Sequence, residues 1–139
     1  MVRAIDHIGI IVKDLEASLK GYTSYLGLKV KEIEEVVVEI SRDRLAFLPV
    51  GDTNIELIET SAKKGIAGDF LRKHGEGIHH IAIRVENLDR IFQELESQGV
   101  KFVWGRVIER SRGSKIAFFE PEEFNGIYIE LVEKRRIAW

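Results

Sequence analysis

The sequence predicts an α+β chain built from two tandem βαβββ modules, forming curved mixed sheets around a shared concave face. Three observations carry this expectation. The chain matches itself at a nearly constant offset, each copy opens with an alternating strand that runs into a helix, and each copy closes on the same five-residue pattern. His7-Ile8-Gly9-Ile10-Ile11-Val12-Lys13-Asp14-Leu15 lies over His80-Ile81-Ala82-Ile83-Arg84-Val85-Glu86-Asn87-Leu88. Further on, Ile55-Glu56-Leu57-Ile58-Glu59 lies over Ile129-Glu130-Leu131-Val132-Glu133.

Each opening strand leads to Asp14 or Asn87, residue types that cap helix N-termini, and then to apolar residues at helical spacing. Leu15, Leu19, Tyr22 and Leu26 form the first stripe, ended by Gly27; Leu88, Ile91, Phe92 and Leu95 form the second, ended by Gly99. Three runs rich in β-branched and aromatic residues follow each helix and read as strands: 36–40, 45–50 and 54–59 in the first copy, then 102–108, 115–119 and 127–132 in the second. The modules therefore span about 4–60 and about 77–134 of a single domain, 1–139, joined by a linker, 61–76. Glycines in that linker bracket a short helical pattern around Ile66, Phe70 and Leu71.

The 139 residues, 45% hydrophobic and 32% charged, suffice for one core with a soluble surface. Twenty-one basic against 23 acidic residues give a net charge of -2, which offers no field for nucleic acid or anionic lipid. The chain passes from Met1-Val2-Arg3-Ala4 into Ile5-Asp6-His7-Ile8 with no apolar leader run, so a cytoplasmic protein is expected. Cysteine is absent, which leaves imidazole and carboxylate as the strong metal-ligand types.

Strand alternation sorts these ligands. Ile8, Ile10 and Val12 share the face that the helix should cover, and His7, Gly9 and Ile11 share the other; in the second copy Ile81, Ile83 and Val85 face the helix, and His80, Ala82 and Arg84 face away. Glu56 and Glu130, each between two apolar neighbours, project away from the core in the same manner. Two modules related by a local two-fold would bring His7, Glu56, His80 and Glu130 together as an N2O2 set. Such a set suits a divalent ion with open positions, Co, Mn, Ni or Zn, rather than a closed structural zinc. One His on a strand is more often a hydrogen-bonded structural residue; the same ligand type at equivalent positions of both copies is what favours a metal. His79 has the opposite parity and reads as structural, and His74 as exposed.

These residues carry a resemblance to the vicinal oxygen chelate (glyoxalase/bleomycin resistance) superfamily that covers nearly the whole chain from Ile5 to Glu133, and within it to the methylmalonyl-CoA epimerases. The narrower likeness lies in Ile5-Asp6-His7-Ile8-Gly9-Ile10, in Gly65-Ile66-Ala67-Gly68-Asp69-Phe70-Leu71 with Gly75-Glu76-Gly77-Ile78-His79-His80-Ile81-Ala82, and in Lys115-Ile116-Ala117-Phe118. It implies metal ligation by His7, Glu56, His80 and Glu130, an acyl-CoA substrate, and epimerisation through a metal-stabilised enolate. Glu130 would serve as catalytic base as well as ligand, and Glu39 as the second base. The chain departs from the epimerase pattern at Glu120-Pro121-Glu122, where His-Pro-Lys is usual, so the carrier would be held by Arg110, Arg112 or Lys115.

The ligand set is equally similar to that of bacterial glyoxalase I, a lactoylglutathione lyase, which makes a glyoxalase-type isomerase the enzyme alternative. The turn Pro121-Glu122-Glu123-Phe124-Asn125-Gly126 is of the longer, epimerase kind. A drug-sequestering protein of the bleomycin-resistance kind is the non-enzyme alternative; Phe47, Phe118 and Trp104 could line its cup, although core packing explains aromatics on strands more simply. Exposed sheet edges lead to an expected homodimer.

Overall fold

The structure is a computed structural model that describes residues 2–38, 41–110 and 113–134. Two compact units divide the chain: His7–His79, and a second made of His80–Trp139 with Met1–Asp6. Both are α+β with a mixed sheet, as the repeat predicts. No helix among the described residues is long and apolar enough to cross a membrane.

The first unit contains β1 (Val2–Val12) from His7 onward, α1 (Leu15–Lys20), β2 (Glu32–Val38), β3 (Ser41–Val50), β4 (Thr53–Thr60) and α2 (Gly65–His74). Its strands lie in the order β2-β3-β4-β1, with β1 parallel to β4 and the others antiparallel. The parallel pair follows from the helical crossover, since parallel neighbours cannot be joined by a hairpin. One side of this sheet is closed by α1: Val12, Leu15, Ala46, Leu48 and Leu57 form a buried cluster with Ile10, Leu19, Tyr22, Leu28, Val30 and Ile55 packed on it. On the other side Ile11, Leu45 and Ile58 are covered by Phe47 and by Ala67, Phe70 and Leu71, the last three from α2. The linker helix thus roofs part of the face that alternation leaves open. Gly68 is required there, because a Cβ would stand 2.6 Å from the Ala62 carbonyl oxygen.

The second unit repeats the plan with β5 (Gly77–Val85) from His80 onward, α3 (Leu88–Ser97), β6 (Ile108–Glu109), β7 (Lys115–Phe118) and β8 (Tyr128–Glu133), its strands in the order β5-β8-β7-β6. Val85, Leu88, Ile91, Phe92, Phe102, Ala117, Phe119 and Leu131 form its core between sheet and α3.

The helix starts show what propensity alone does not settle. Asp14 caps α1 as expected, accepting from the Ala17 N–H at 3.0 Å. Asn87 makes no side-chain cap and takes a left-handed backbone (φ 56). In both units a carboxylate from the last strand supplies an acceptor, alongside Asp14 in the first and in place of Asn87 in the second: Glu59 accepts from the Leu15 N–H at 2.8 Å and Glu133 from the Leu88 N–H at 2.6 Å.

Two expectations are corrected. Leu26 does not join the α1 stripe, because the chain widens into a π-helical turn at Gly21–Tyr25 that rotates Leu26 outward to 65% exposure. The strand expected over 102–108 is instead a single bridge between Phe102 and Phe119, a tight 3-10 turn at Val103–Gly105, and the two-residue β6. Trp104 and Gly105 both adopt positive φ, which no strand accommodates.

Leu57→Ala, at a fully buried position, is expected to lower unfolding free energy by about 2–5 kcal/mol in chemical denaturation. Glu133→Ala, which strands the Leu88 N–H, should cost about 1–3 kcal/mol. Glu35→Ala, which removes an exposed ion pair with Arg42, should cost no more than about 1 kcal/mol.

Candidate metal centre

In the first unit β1 and β4 run in register with Gly9 opposite Glu56 and Ile11 opposite Ile58, so His7 and Glu56 project from the same face of the sheet. Leu57 and Ile55, of the other parity, enter the α1 core. His7 and Glu56 are buried, and the His7 Nε2 lies 3.5 Å from a Glu56 carboxylate oxygen. Gly9, of the same parity as His7, stands opposite Glu56 on this face.

The second unit builds the same pair. His80 stands opposite Tyr128 and Ala82 opposite Glu130, and the His80 Nε2 lies 3.3 Å from a Glu130 oxygen, both side chains being buried. Phe118 on β7 pairs with Glu130 and sets its ring edge-on to His80, with centroids 5.2 Å apart. Alternation therefore delivers one buried imidazole–carboxylate pair to each unit, on the sheet face away from that unit's helix.

The donor chemistry fits a divalent cation. Two ligands each about 2.1 Å from one metal ion stand about 3.0–3.4 Å apart at octahedral to tetrahedral angles, close to the separations found in both pairs. Burial of an imidazole and a carboxylate together is costly unless charge and lone pairs are matched, which a cation between them would achieve.

The remaining candidates fall elsewhere. Glu39 and Arg112 lie outside the described residues. Lys115 shares its strand parity with Ala117, which sits in the α3 core, and its Nζ pairs with Asp89 of α3 at 2.5 Å. The hydrogen bond and charge of Asp89 hold the Lys115 ammonium above its ordinary range. The structure thus places Lys115 on the helix side of the sheet, away from the His80–Glu130 pair. Arg110 donates its backbone N–H to the Ser114 carbonyl in the loop before β7. His79 is buried against the edge of Phe70, and His74 is exposed and stacked on the same ring.

Two features escape a local reading of the sequence. Asp6, 1% exposed, accepts from Arg84 through Nε at 3.0 Å and Nη2 at 2.6 Å, and pairs with Lys134 at 3.0 Å. Arg84 shares the parity of His80, which alternation already indicated; its carboxylate partner lies far along the chain. The second is Trp104, expected in a core and found 51% exposed, edge-on to Phe118. A cluster of three carboxylates, Asp14, Glu16 and Glu59, is committed to capping α1 and to ion pairs with Arg44.

Comparison with known proteins extends these findings. An uncharacterized protein of Bacillus subtilis (strain 168), YqjC, is 34% identical over 94% of this chain and 92% of its own. The ethylmalonyl-CoA/methylmalonyl-CoA epimerase of Cereibacter sphaeroides is 30% identical over 94% and 98%. Among solved structures, a methylmalonyl-CoA epimerase in complex with methylmalonyl-CoA and NH4+ superposes with a TM-score of 0.87 at 31% identity, covering 99% of this chain and 98% of that one. A Streptomyces coelicolor methylmalonyl-CoA epimerase variant holding 2-nitronate-propionyl-CoA gives the same TM-score at 30% identity, with the same coverage. The family resemblance carried by those sequence stretches is borne out in both sequence and fold. Residues 6–118 match the family model itself, and the chain belongs to the Glyoxalase/Bleomycin resistance protein/Dioxygenase superfamily.

Proposed function

We propose that the protein is an isomerase of the epimerase class that inverts C2 of methylmalonyl-CoA, and that His7, Glu56, His80 and Glu130 together hold one divalent cation, Co, Mn, Ni or Zn. The observation that carries this reading is the buried imidazole–carboxylate pair repeated at equivalent positions of both units. Relatives named as epimerases for this substrate, similar over nearly their whole length, support the substrate class.

The chemistry sets the requirement. C2 of a 2-methylmalonyl thioester is weakly acidic, and the barrier to removing its proton is dominated by charge that develops on the thioester and carboxylate oxygens. The cation, when bound, supplies opposite charge beside those oxygens. His7 and His80 would act as uncharged nitrogen donors, so that they add no negative charge to repel an anionic substrate. Glu130 takes the C2 proton; a positioned base contributes roughly 10²- to 10⁴-fold in rate. Phe118, packed edge-on to His80, limits the imidazole's rotation and keeps water from that side. Glu39 is the proposed base for the opposite face.

Metal-loaded protein in deuterium oxide is expected to exchange the C2 proton of methylmalonyl-CoA, read by mass spectrometry, and chelation of the metal should abolish the exchange. Full turnover by a variant lacking all four ligands would overturn the reading. His7→Ala and His80→Ala should each weaken Mn or Zn binding in calorimetry by roughly tenfold or more while the fold persists. Lys115→Met is expected to leave KM within about twofold, because its ammonium is engaged by Asp89 on the α3 side.

A further inference from the structure

Trp104 is the least expected side chain of the second unit. Its backbone sits in the left-handed region at φ 66, where a bulky residue is disfavoured, and the following Gly105 has φ 64. The strain gains no burial, since the residue is 51% exposed. The preceding residues explain what it achieves. Phe102 is buried on the α3 side, its ring 4.6 Å from Phe92 and 4.6 Å from Phe119. Phe118, of opposite parity to Phe119, faces away from α3 with Glu130. The tight turn at Val103–Gly105 therefore carries the chain around the end of β7, and the indole meets the Phe118 ring edge-on, centroids 5.8 Å apart. A continued strand would not place it there. Phe118 in turn abuts His80, so the order on this face is imidazole, phenyl, half-exposed indole.

We propose that Trp104 is a substrate-binding residue whose indole packs against the thioester-proximal arm of the substrate, the first methylene and amide groups beyond the sulfur. The inference rests on the epimerase reading above for the position of the acyl group beside His80. One ring beyond Phe118 is within reach of those first atoms, whereas the nucleotide end of an acyl-CoA lies many bonds farther out. A rigid aromatic face supplies contact area to a flexible chain at little cost in side-chain entropy.

Two readouts test this. With Trp139→Phe, Trp104 becomes the single tryptophan of the chain. Its emission in zinc-loaded protein is expected to shift saturably with malonyl-CoA and with the N-acetylcysteamine thioester of malonate, and not with free malonate. A shift with adenosine diphosphate alone would assign the indole to base stacking and overturn the proposal. A shift on raising protein concentration without ligand would assign it to contact between copies, with the same result.

In kinetics, Trp104→Ala and Trp104→Gly should raise KM for methylmalonyl-CoA and for methylmalonyl-N-acetylcysteamine by a similar factor, roughly tenfold or more, with kcat within about threefold. Trp104→Gly suits the left-handed backbone and is expected to fold with a Tm at or above that of the natural chain, which separates lost contact from lost structure. Unchanged KM together with unchanged emission would overturn the inference while leaving C2 exchange by the natural chain intact. Conversely, a malonyl thioester shift in a protein that exchanges no C2 proton would remove the epimerase reading and leave the arm site standing.

Discussion

The alternation of side chains across a β-strand is the constraint on which the rest of this structure depends. Successive residues must face opposite sides of the sheet, so a strand that feeds a helix-covered core with every second residue has the intervening positions free for other chemistry. Both units use those positions identically. Ile10 and Val12 in one, Ile83 and Val85 in the other, anchor the core, while His7 and His80 emerge on the reverse face beside Glu56 and Glu130. Burial there makes the pairs costly to leave unmatched, and the same burial is what strengthens their electrostatics toward a bound charge.

This dependence explains what could be read from the sequence. Parity is a local property, visible in Ile8-Gly9-Ile10 and Ile81-Ala82-Ile83 without knowledge of the partners, and the repeat supplied a second, independent copy of each candidate position. The stops at Gly27 and Gly99 were legible as well, since both glycines take the left-handed conformation that ends a helix (φ 68 and φ 88), although Leu26 leaves the first stripe. The likeness to the epimerases extended the reading to substrate class.

What escaped the sequence depends on non-local or backbone terms. Phe102-Val103-Trp104 has the composition of a strand, and nothing in residue type announces that Trp104 turns left-handed. Asp6 carries no signal in its own neighbourhood, because its partners Arg84 and Lys134 come from distant parts of the chain. Asn87 looks like a cap, yet the cap arrives from Glu133. Lys115 reads with Arg110 and Arg112 as a holder of the carrier, whereas its strand parity with Ala117 puts it on the α3 side, where Asp89 holds it.

The terminal strands of the two units, β4 and β8, each carry two acids three residues apart with contrary duties. Glu56 and Glu130 serve the open face, whereas Glu59 and Glu133 cross to the other and tether a helix start. A pairing slipped by one residue would send both acids to the wrong side at once, drowning one in hydrocarbon and leaving a helix unmoored. Misaligned assembly is therefore penalised twice over in either half, so a duplicated sequence with many near-equivalent segments still has one alignment that it strongly prefers.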